Sequence, residues 1–127
     1  MDMAVKAKKK VLFVDDSPTI VEAAYDELNE QGYEVSVAYN GEEALNLLES
    51  EVPDIIILDM EMPVLKGYQV AEKIRADPAL SKIPIIALTA ISPKTLGDKA
   101  KMFDAYLVKP FGYPEMLKVV AQKIGKP

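Results

Sequence analysis

Charged or hydroxyl side chains follow several short apolar runs of this sequence, at the positions where those runs end. Asp15 and Asp16 follow the first run, Asp59 and Thr89 follow two later runs, and Lys109 follows the last. Carboxylates can attack an electrophile or bind a hard cation, and a lysine can neutralise negative charge that develops nearby. The sequence has no histidine and no cysteine, which excludes a Ser-His-Asp triad, a thiolate zinc site and a disulfide. Any chemistry must therefore use carboxylates, hydroxyls or lysine, with or without a hard metal ion.

Five apolar runs are predicted to be the strands that position these residues. Residues 11–14, 55–58 and 83–88 are rich in β-branched side chains and free of charged ones, which is typical of central strands in a parallel sheet. Residues 34–38 alternate between apolar and polar, and residues 105–108 form a shorter run, so these two are expected at the edges.

Helical patterns separate the strands. The first helix is indicated by a Ser17 cap with Pro18 and by an apolar stripe at Val21, Ala24, Tyr25 and Leu28. An Asn40–Glu43 capping box indicates the second helix, and a stripe at Val70, Ala71 and Ile74 indicates the third. The fourth is a weakly apolar stretch between Lys94 and Met102, and the last begins at Pro114 and should bury Leu117, Val120, Ala121 and Ile124. Strand and helix thus alternate five times, and crossovers this short are right-handed. This predicts an α/β fold, with a five-stranded parallel sheet in the flavodoxin-like order 2-1-3-4-5, helices on both faces and a short fourth helix.

The carboxyl ends of strands one and three meet where the strand order reverses, which is where such sheets bind ligands. Asp15, Asp16 and Asp59 should therefore share one crevice, and their mutual repulsion would be relieved by a magnesium ion. Three aspartates, Lys109 and a divalent ion sum to zero formal charge. We expect Asp59 to attack phosphorus, Asp16 to bind the metal directly and Asp15 to bind it through water. Lys109 and the Thr89 hydroxyl would then stabilise the phosphoryl oxygens.

Length and charge restrict the class of protein. The 127 residues fit a single domain, residues 10–127, after a short basic lead-in, residues 1–9, and no further domain is expected. A net charge of -5 disfavours binding to nucleic acid. The sequence shows neither a signal-peptide pattern nor an apolar run long enough to span a bilayer, so we predict a cytoplasmic protein without a membrane partner.

Taken together, these motifs resemble the receiver domain of two-component response regulators, from Lys10 onward. The motifs are the first strand with Asp15-Asp16, the third strand with Asp59-Met60-Glu61-Met62-Pro63, Gly67, Leu88-Thr89-Ala90, and Tyr106-Leu107-Val108-Lys109-Pro110-Phe111. The resemblance implies a stand-alone, chemotaxis-type phosphoprotein whose phosphoacceptor is Asp59. It implies magnesium held by Asp16, Asp59 and the Glu61 carbonyl, with help from Asp15. It also implies that a histidine kinase or phosphotransfer protein supplies the phosphoryl group, and that the chain is not an enzyme beyond its own phosphorylation and dephosphorylation.

The resemblance also implies a switch. Phosphorylation would draw the Thr89 hydroxyl inward, Tyr106 would follow, and a downstream target would read the face of the fourth helix, fifth strand and fifth helix. Glu61 and Ile91 would tune how long the phosphoryl group lasts, and the peptide bond before Pro110 would be cis. The 20 positions from Thr89 to Lys109 are fewer than the family pattern has, which predicts a shortened or distorted fourth helix.

Three other interpretations remain open. A receiver-like module that acts without phosphorylation would also have this fold. A haloacid-dehalogenase-like phosphatase would use a strand-end nucleophile, but it needs Asp-x-Asp where this sequence has adjacent Asp15 and Asp16. A flavodoxin would need a phosphate-binding loop after the first strand, where this acidic pair would repel a phosphate.

Overall fold

Five parallel strands form one sheet in the computed structural model, which describes residues 8–127. The predicted lead-in, residues 1–9, falls mostly outside the described residues. The strands are β1 (Lys10–Val14), β2 (Glu34–Ala38), β3 (Ile55–Asp59), β4 (Ile85–Thr89) and β5 (Ala105–Val108). Their order across the sheet is β2-β1-β3-β4-β5, which confirms the predicted fold class and both edge strands.

Five helical segments connect or follow the strands. They are α1 (Pro18–Gln31), α2 (Gly41–Leu48), α3 (Gly67–Ala76), a 3-10 segment (Pro93–Met102) and α4 (Tyr113–Ile124). Both predicted N-caps form: the Ser17 hydroxyl accepts a hydrogen bond from the Ile20 N–H, and the Asn40 side chain accepts one from the Glu43 N–H. The predicted capping box is only half formed, because the Glu43 carboxylate accepts from the Tyr39 N–H rather than from the Asn40 N–H. Helix α1 ends at Gly32, whose φ of 106° lies in the left-handed region that glycine adopts without steric cost.

The fourth helical segment is distorted, as the spacing predicted. It is a 3-10 helix kinked at Gly97, whose φ of 62° and ψ of -134° belong to neither an α-helix nor a 3-10 helix. The buried aromatic residue Phe103 lies just after the segment, and the segment's own apolar residues Leu96 and Met102 are only half-buried. With so few apolar contacts, little favours a regular helix here.

The core consists of two layers, one on each face of the sheet. Helices α2 and α3 and the 3-10 segment cover one face, and α1 and α4 cover the other. Successive residues of the central strands alternate between the two layers, so Ile56 contributes to the first and Ile57 to the second. Burial of one such side chain contributes roughly 1.5–3 kcal/mol, so the buried central strands hold the loops at their ends in fixed positions.

Some details differ from the sequence-based expectations. Strand β4 begins at Ile85 rather than at residue 83, because Pro84 lacks a backbone N–H to donate to the ladder. Tyr25 is 40% exposed rather than part of the buried stripe of α1, and Met116 is a buried residue of α4 that the apolar pattern missed. No helix within residues 8–127 has the length and apolar character needed to cross a membrane.

Candidate functional site

Three aspartates converge at the carboxyl ends of β1 and β3. Carboxylate oxygens of Asp15, Asp16 and Asp59 all lie within 4.8 Å of one another. Asp15 and Asp59 are 0% and 1% exposed, whereas Asp16 faces solvent. The structure therefore brings together the three acids that the sequence placed in one crevice. We call these three residues and Lys109 the acidic pocket.

Lys109 reaches this pocket from the end of β5. Its Nζ lies 2.9 Å from Asp15 Oδ2 and 3.3 Å from Asp59 Oδ2. The backbone N–H of Lys109 donates to the Thr89 carbonyl oxygen at 2.8 Å, and this bond fixes the backbone from which the Lys109 side chain extends. The peptide bond between Lys109 and Pro110 is cis, as the sequence motif predicted.

Each buried carboxylate is oriented by one backbone amide. The Ser17 N–H donates to Asp15 Oδ1 at 2.9 Å, and the Glu61 N–H donates to Asp59 Oδ1 at 3.0 Å. Both donors lie two residues beyond the acceptor, a local turn that Asp residues form readily. The two Oδ2 atoms accept no hydrogen bond of suitable angle within the described residues, so their contacts with Lys109 are ion pairs only.

Gly67 permits α3 to begin directly against the end of β3. A Cβ atom added at Gly67 would lie 2.3 Å from the Asp59 carbonyl oxygen and 2.8 Å from the Met60 Cα, closer than atoms can approach. Only glycine therefore fits here, which gives a physical reason for the glycine of the sequence motif. Neither this contact nor the role of the Ser17 N–H beside Asp15 follows from the sequence motifs.

Burial controls the charge of the pocket. The pKa of Asp59 is raised to about 6, mainly by desolvation and also by the neighbouring Asp15 carboxylate, while the Glu61 N–H and Lys109 limit the rise. For Lys109, burial lowers the pKa, but the two aspartates outweigh burial and the net pKa lies above its ordinary value. Lys109 therefore carries its charge throughout the physiological range.

The donor set of the pocket fits a hard divalent cation. The side-chain atoms of the pocket that could bind a metal ion are all carboxylate oxygens, and two of these oxygens are buried without a hydrogen bond. Three carboxylates and one lysine leave a formal charge of -2, which a divalent ion would balance. Oxygen donors with an exposed side at Asp16 suit magnesium, which retains several water ligands. The Glu61 side chain is exposed, and its carbonyl oxygen as a ligand stays a prediction.

The hydroxyls of the two predicted switch residues bond to backbone groups outside this pocket. Thr89 is buried at the end of β4, next to Leu88, which pairs with Asp59. Its hydroxyl donates to the Ile91 carbonyl oxygen and accepts from the Ile91 N–H, both at 3.1 Å. The Tyr106 hydroxyl donates to the Ala100 carbonyl oxygen in the 3-10 segment.

Comparisons with known proteins agree with this geometry. The model of the response regulator receiver domain matches residues 11–121. A probable transcriptional regulator ycf27 from Guillardia theta is 44% identical over 99% of this chain and 50% of its own length. The chain spans about half the length of the first curated relatives that it matches.

Two solved structures illustrate the similarity. The chemotaxis protein CheY4 of Vibrio cholerae is 34% identical, with a TM-score of 0.86 over 92% of this chain and 99% of that one. The response regulator TrrA of Thermotoga maritima, solved with Mg²⁺ and BeF, is 41% identical, with a TM-score of 0.81 over 90% of this chain and 97% of that one. Fold, pocket and sequence similarity lead to the same conclusion: this chain belongs to the family of response regulator receiver domains.

Proposed function

We propose that this protein is a phosphorylation-dependent signalling switch of a two-component system, with Asp59 as its phosphoacceptor. The observation that carries the proposal is the buried Asp59 carboxylate, with one oxygen held by a backbone amide and the other facing a lysine. With a pKa of about 6, roughly 90% of Asp59 is ionised at pH 7 before any metal binds. A buried, ionised and oriented carboxylate is suited to act as a nucleophile.

The residues around Asp59 have separate roles in phosphoryl transfer. Asp59 Oδ2 forms the new bond to phosphorus as the bond from phosphorus to the donor breaks. Asp16, Asp59 and the Glu61 carbonyl oxygen would hold a magnesium ion, with Asp15 acting through water, and the ion would supply positive charge to the phosphoryl oxygens. Lys109 Nζ, 3.3 Å from Asp59 Oδ2, neutralises the charge that arrives on this side of the pocket. The chemistry ends with the chain's own phosphorylation and dephosphorylation.

Phosphorylation changes the charge of the pocket by about -1.5 to -2, judged from phosphorylated hydroxyl side chains. The new oxygens compete with Ile91 for the Thr89 hydroxyl, which sits at the end of the adjacent strand. Movement of this hydroxyl alters the start of the 3-10 segment, and Tyr106 contacts the same segment at Ala100. A downstream target then reads the face formed by the 3-10 segment, β5 and α4.

A histidine kinase or phosphotransfer protein supplies the phosphoryl group in this proposal. The pocket is compatible with such a donor because its exposed side, at Asp16, lets an external group approach the buried nucleophile. A small acyl phosphate can replace the protein donor in a test, since the pocket supplies the metal ligands and Lys109 itself.

Intact-mass spectrometry after incubation with acetyl phosphate and Mg²⁺ tests the proposal. The parent protein should gain the mass of one phosphoryl group, and Asp59→Asn should gain none. Asp98→Asn, which changes an exposed aspartate in the 3-10 segment, is the matched control and should behave as the parent. A parent without the gain, or an Asp59→Asn variant that keeps it, would refute the assignment.

Ile91 and Glu61 are proposed to control how long the phosphoryl group lasts. Both side chains are exposed beside the pocket, two residues after Thr89 and Asp59 respectively, on the route of an attacking water. Because the Ile91 side chain is bulky and apolar, Ile91→Ala should speed dephosphorylation several-fold. The rate is followed by the decay of the phosphorylated mass after the donor is removed, and an unchanged or slower decay would contradict this role.

A further inference from the structure

The outer edge of β2 carries backbone groups that pair with nothing in the described residues. β2 forms hydrogen bonds with β1 alone and lies at one edge of the sheet. The Glu34 N–H and the Ala38 carbonyl oxygen both bond toward β1, at 2.9 Å and 3.2 Å. Because backbone direction alternates along a strand, the N–H and C=O groups of Val35 and Val37 point outward. This edge can therefore accept a further strand.

A groove of about 340 Å³ lies beside this edge, between β2 and α1. Its lining residues are Val21, Glu22, Tyr25, Asp26, Val37 and Tyr39. The two tyrosines are 40% and 38% exposed, so their rings are open to a ligand from solvent. Both carboxylates are exposed, and neither takes part in an ion pair among residues 8–127.

These side chains suit one kind of ligand group. A lysine or arginine can lay its aliphatic stem on the valine floor and place its charge between a tyrosine ring and a carboxylate. In a strand added to this edge, every second side chain would lie on the α1 side, because the Val35 and Val37 side chains pack against that layer. The partner should therefore have basic residues at alternate positions.

A second groove gives room for the remaining side chains of an added strand. It lies on the α2 side of the same edge and has a volume of about 360 Å³. Val37 lines both grooves, so the two grooves flank one strand. The other lining residues of the second groove are Glu43, Asn46, Leu47 and Ser50, which suit small or polar groups.

We propose that the β2 edge and its α1-side groove form a docking site for an extended segment of a partner protein that carries lysine or arginine at every second residue. The segment would add to the sheet as a sixth strand, with main-chain hydrogen bonds giving affinity and the groove giving specificity. This site is at the edge of the sheet opposite to β5. It goes beyond the phosphorylation switch and needs neither Asp59 nor a metal ion.

The probe is a fluorescein-labelled peptide, Lys-Val-Lys-Thr-Lys-Val-Lys, titrated by anisotropy into the full chain without Mg²⁺ or phosphodonor. The double variant Glu22→Gln/Asp26→Asn should weaken binding about tenfold, since two charge contacts near 0.7 kcal/mol each are lost. The control Glu72→Gln/Glu115→Gln removes the same charge from α3 and α4 and should bind as the parent. Equal weakening in both double variants would show only non-specific attraction and overturn the proposal.

Hydrogen exchange locates the bound peptide. The Val35 and Val37 amides should exchange more slowly with the basic peptide, and a peptide methylated on alternate amide nitrogens should lose this protection. Tight binding of the acidic peptide Glu-Val-Glu-Thr-Glu-Val-Glu, or protection elsewhere without protection at these two amides, would refute the site. Protection that rises with protein concentration and without peptide would assign the edge to a second copy of the chain, and would equally overturn the proposal.

Discussion

The acidic pocket and the 3-10 segment both hold buried or half-buried charge, but with opposite consequences for stability. In the pocket, two buried carboxylates face each other with unsatisfied Oδ2 atoms, and one lysine serves both. At the 3-10 segment, Arg75 of α3 donates hydrogen bonds to Met102, Ser81, Ile83 and Asp104, so all its N–H groups are used.

These two regions separate charges that stabilise the fold from charges that are available for chemistry. A charge whose hydrogen bonds are complete stabilises the structure around it, whereas a buried charge lacking them destabilises it. Replacing a charged residue by a neutral one should therefore change the free energy of unfolding in opposite directions in the two regions. Two predictions test this contrast directly, and two more test the backbone conformation of the same two regions.

Arg75→Met should destabilise the protein most, by about 2–4 kcal/mol, because several carbonyl oxygens lose their donor and Asp104 loses its ion pair. Urea unfolding at pH 7 measures the change. Arg75→Lys keeps the charge but offers fewer donors, and should fall between the parent and Arg75→Met. Lys73→Met, on an exposed turn of the same helix, should change stability by no more than about 0.5 kcal/mol. Similar losses for Lys73→Met and Arg75→Met would remove the contrast.

Asp59→Asn should have the opposite sign and stabilise the metal-free protein by about 2–3 kcal/mol at pH 7.5. The folded-state pKa of about 6 lies above the unfolded value, so folding favours the neutral acid. This contribution to stability is complete below about pH 4 and is lost as the pH rises through 6. The advantage of Asp59→Asn should therefore vanish at pH 4.

Unfolding in the presence of EDTA at both pH values measures this effect. Asp16→Asn is the matched control, because it removes a like charge from the exposed side of the same pocket and should have a smaller effect. A loss of stability in Asp59→Asn at pH 7.5 would mean that Asp59 holds the fold together, contrary to the comparison.

The pocket could be predicted from sequence because its position follows from topology. Buried strands such as residues 55–58 have a clear apolar pattern, and the parallel order then brings Asp15, Asp59 and Lys109 to one end of the sheet. The finer contacts could not be predicted in the same way. Arg75 bonds mainly to backbone carbonyl oxygens, which any sequence provides, so no motif indicates its partners.

The 3-10 segment was predicted only as a departure from the family spacing. Its kink comes from the φ and ψ of one residue, Gly97, and a glycine in sequence does not reveal which conformation it adopts. Thr89 and Tyr106 were placed correctly on β4 and β5, but their hydroxyl partners, Ile91 and Ala100, are again backbone groups.

Gly97→Ala examines whether the kink is part of the folded state in solution. A Cβ here would meet no atom within 4 Å, so any effect comes from the φ of 62° rather than from packing. The variant should destabilise by about 1–2 kcal/mol in urea unfolding. Gly112→Ala is the control, since its φ is -87° and an added Cβ makes ordinary contact at 3.8 Å. A more stable Gly97→Ala would indicate that the segment is a regular helix.

Val64→Gly tests the loop between β3 and α3, which follows Asp59 along the chain, and has the smallest expected effect. Val64 has a φ of 67° and is 99% exposed, and the Leu65 N–H donates to the Pro63 carbonyl oxygen across it, as in a strained γ-turn. Glycine should relieve this strain and lose almost no packing. Although glycine also gives the unfolded chain more freedom, the relief of strain is the larger effect, so Val64→Gly should raise the free energy of unfolding by about 0.5–1 kcal/mol.

The control for this strain is the same substitution at Val52, an exposed valine whose φ is negative. Val52→Gly should destabilise by about 0.5–1 kcal/mol, because the unfolded chain gains freedom and no strain is relieved. Thermal unfolding of both variants gives the signs directly. If both lose stability, the turn beside Asp59 carries no strain, and the cost of the pocket lies in its buried charges alone. If Val64→Gly gains while Val52→Gly loses, backbone strain adds to buried charge in the region that carries the chemistry.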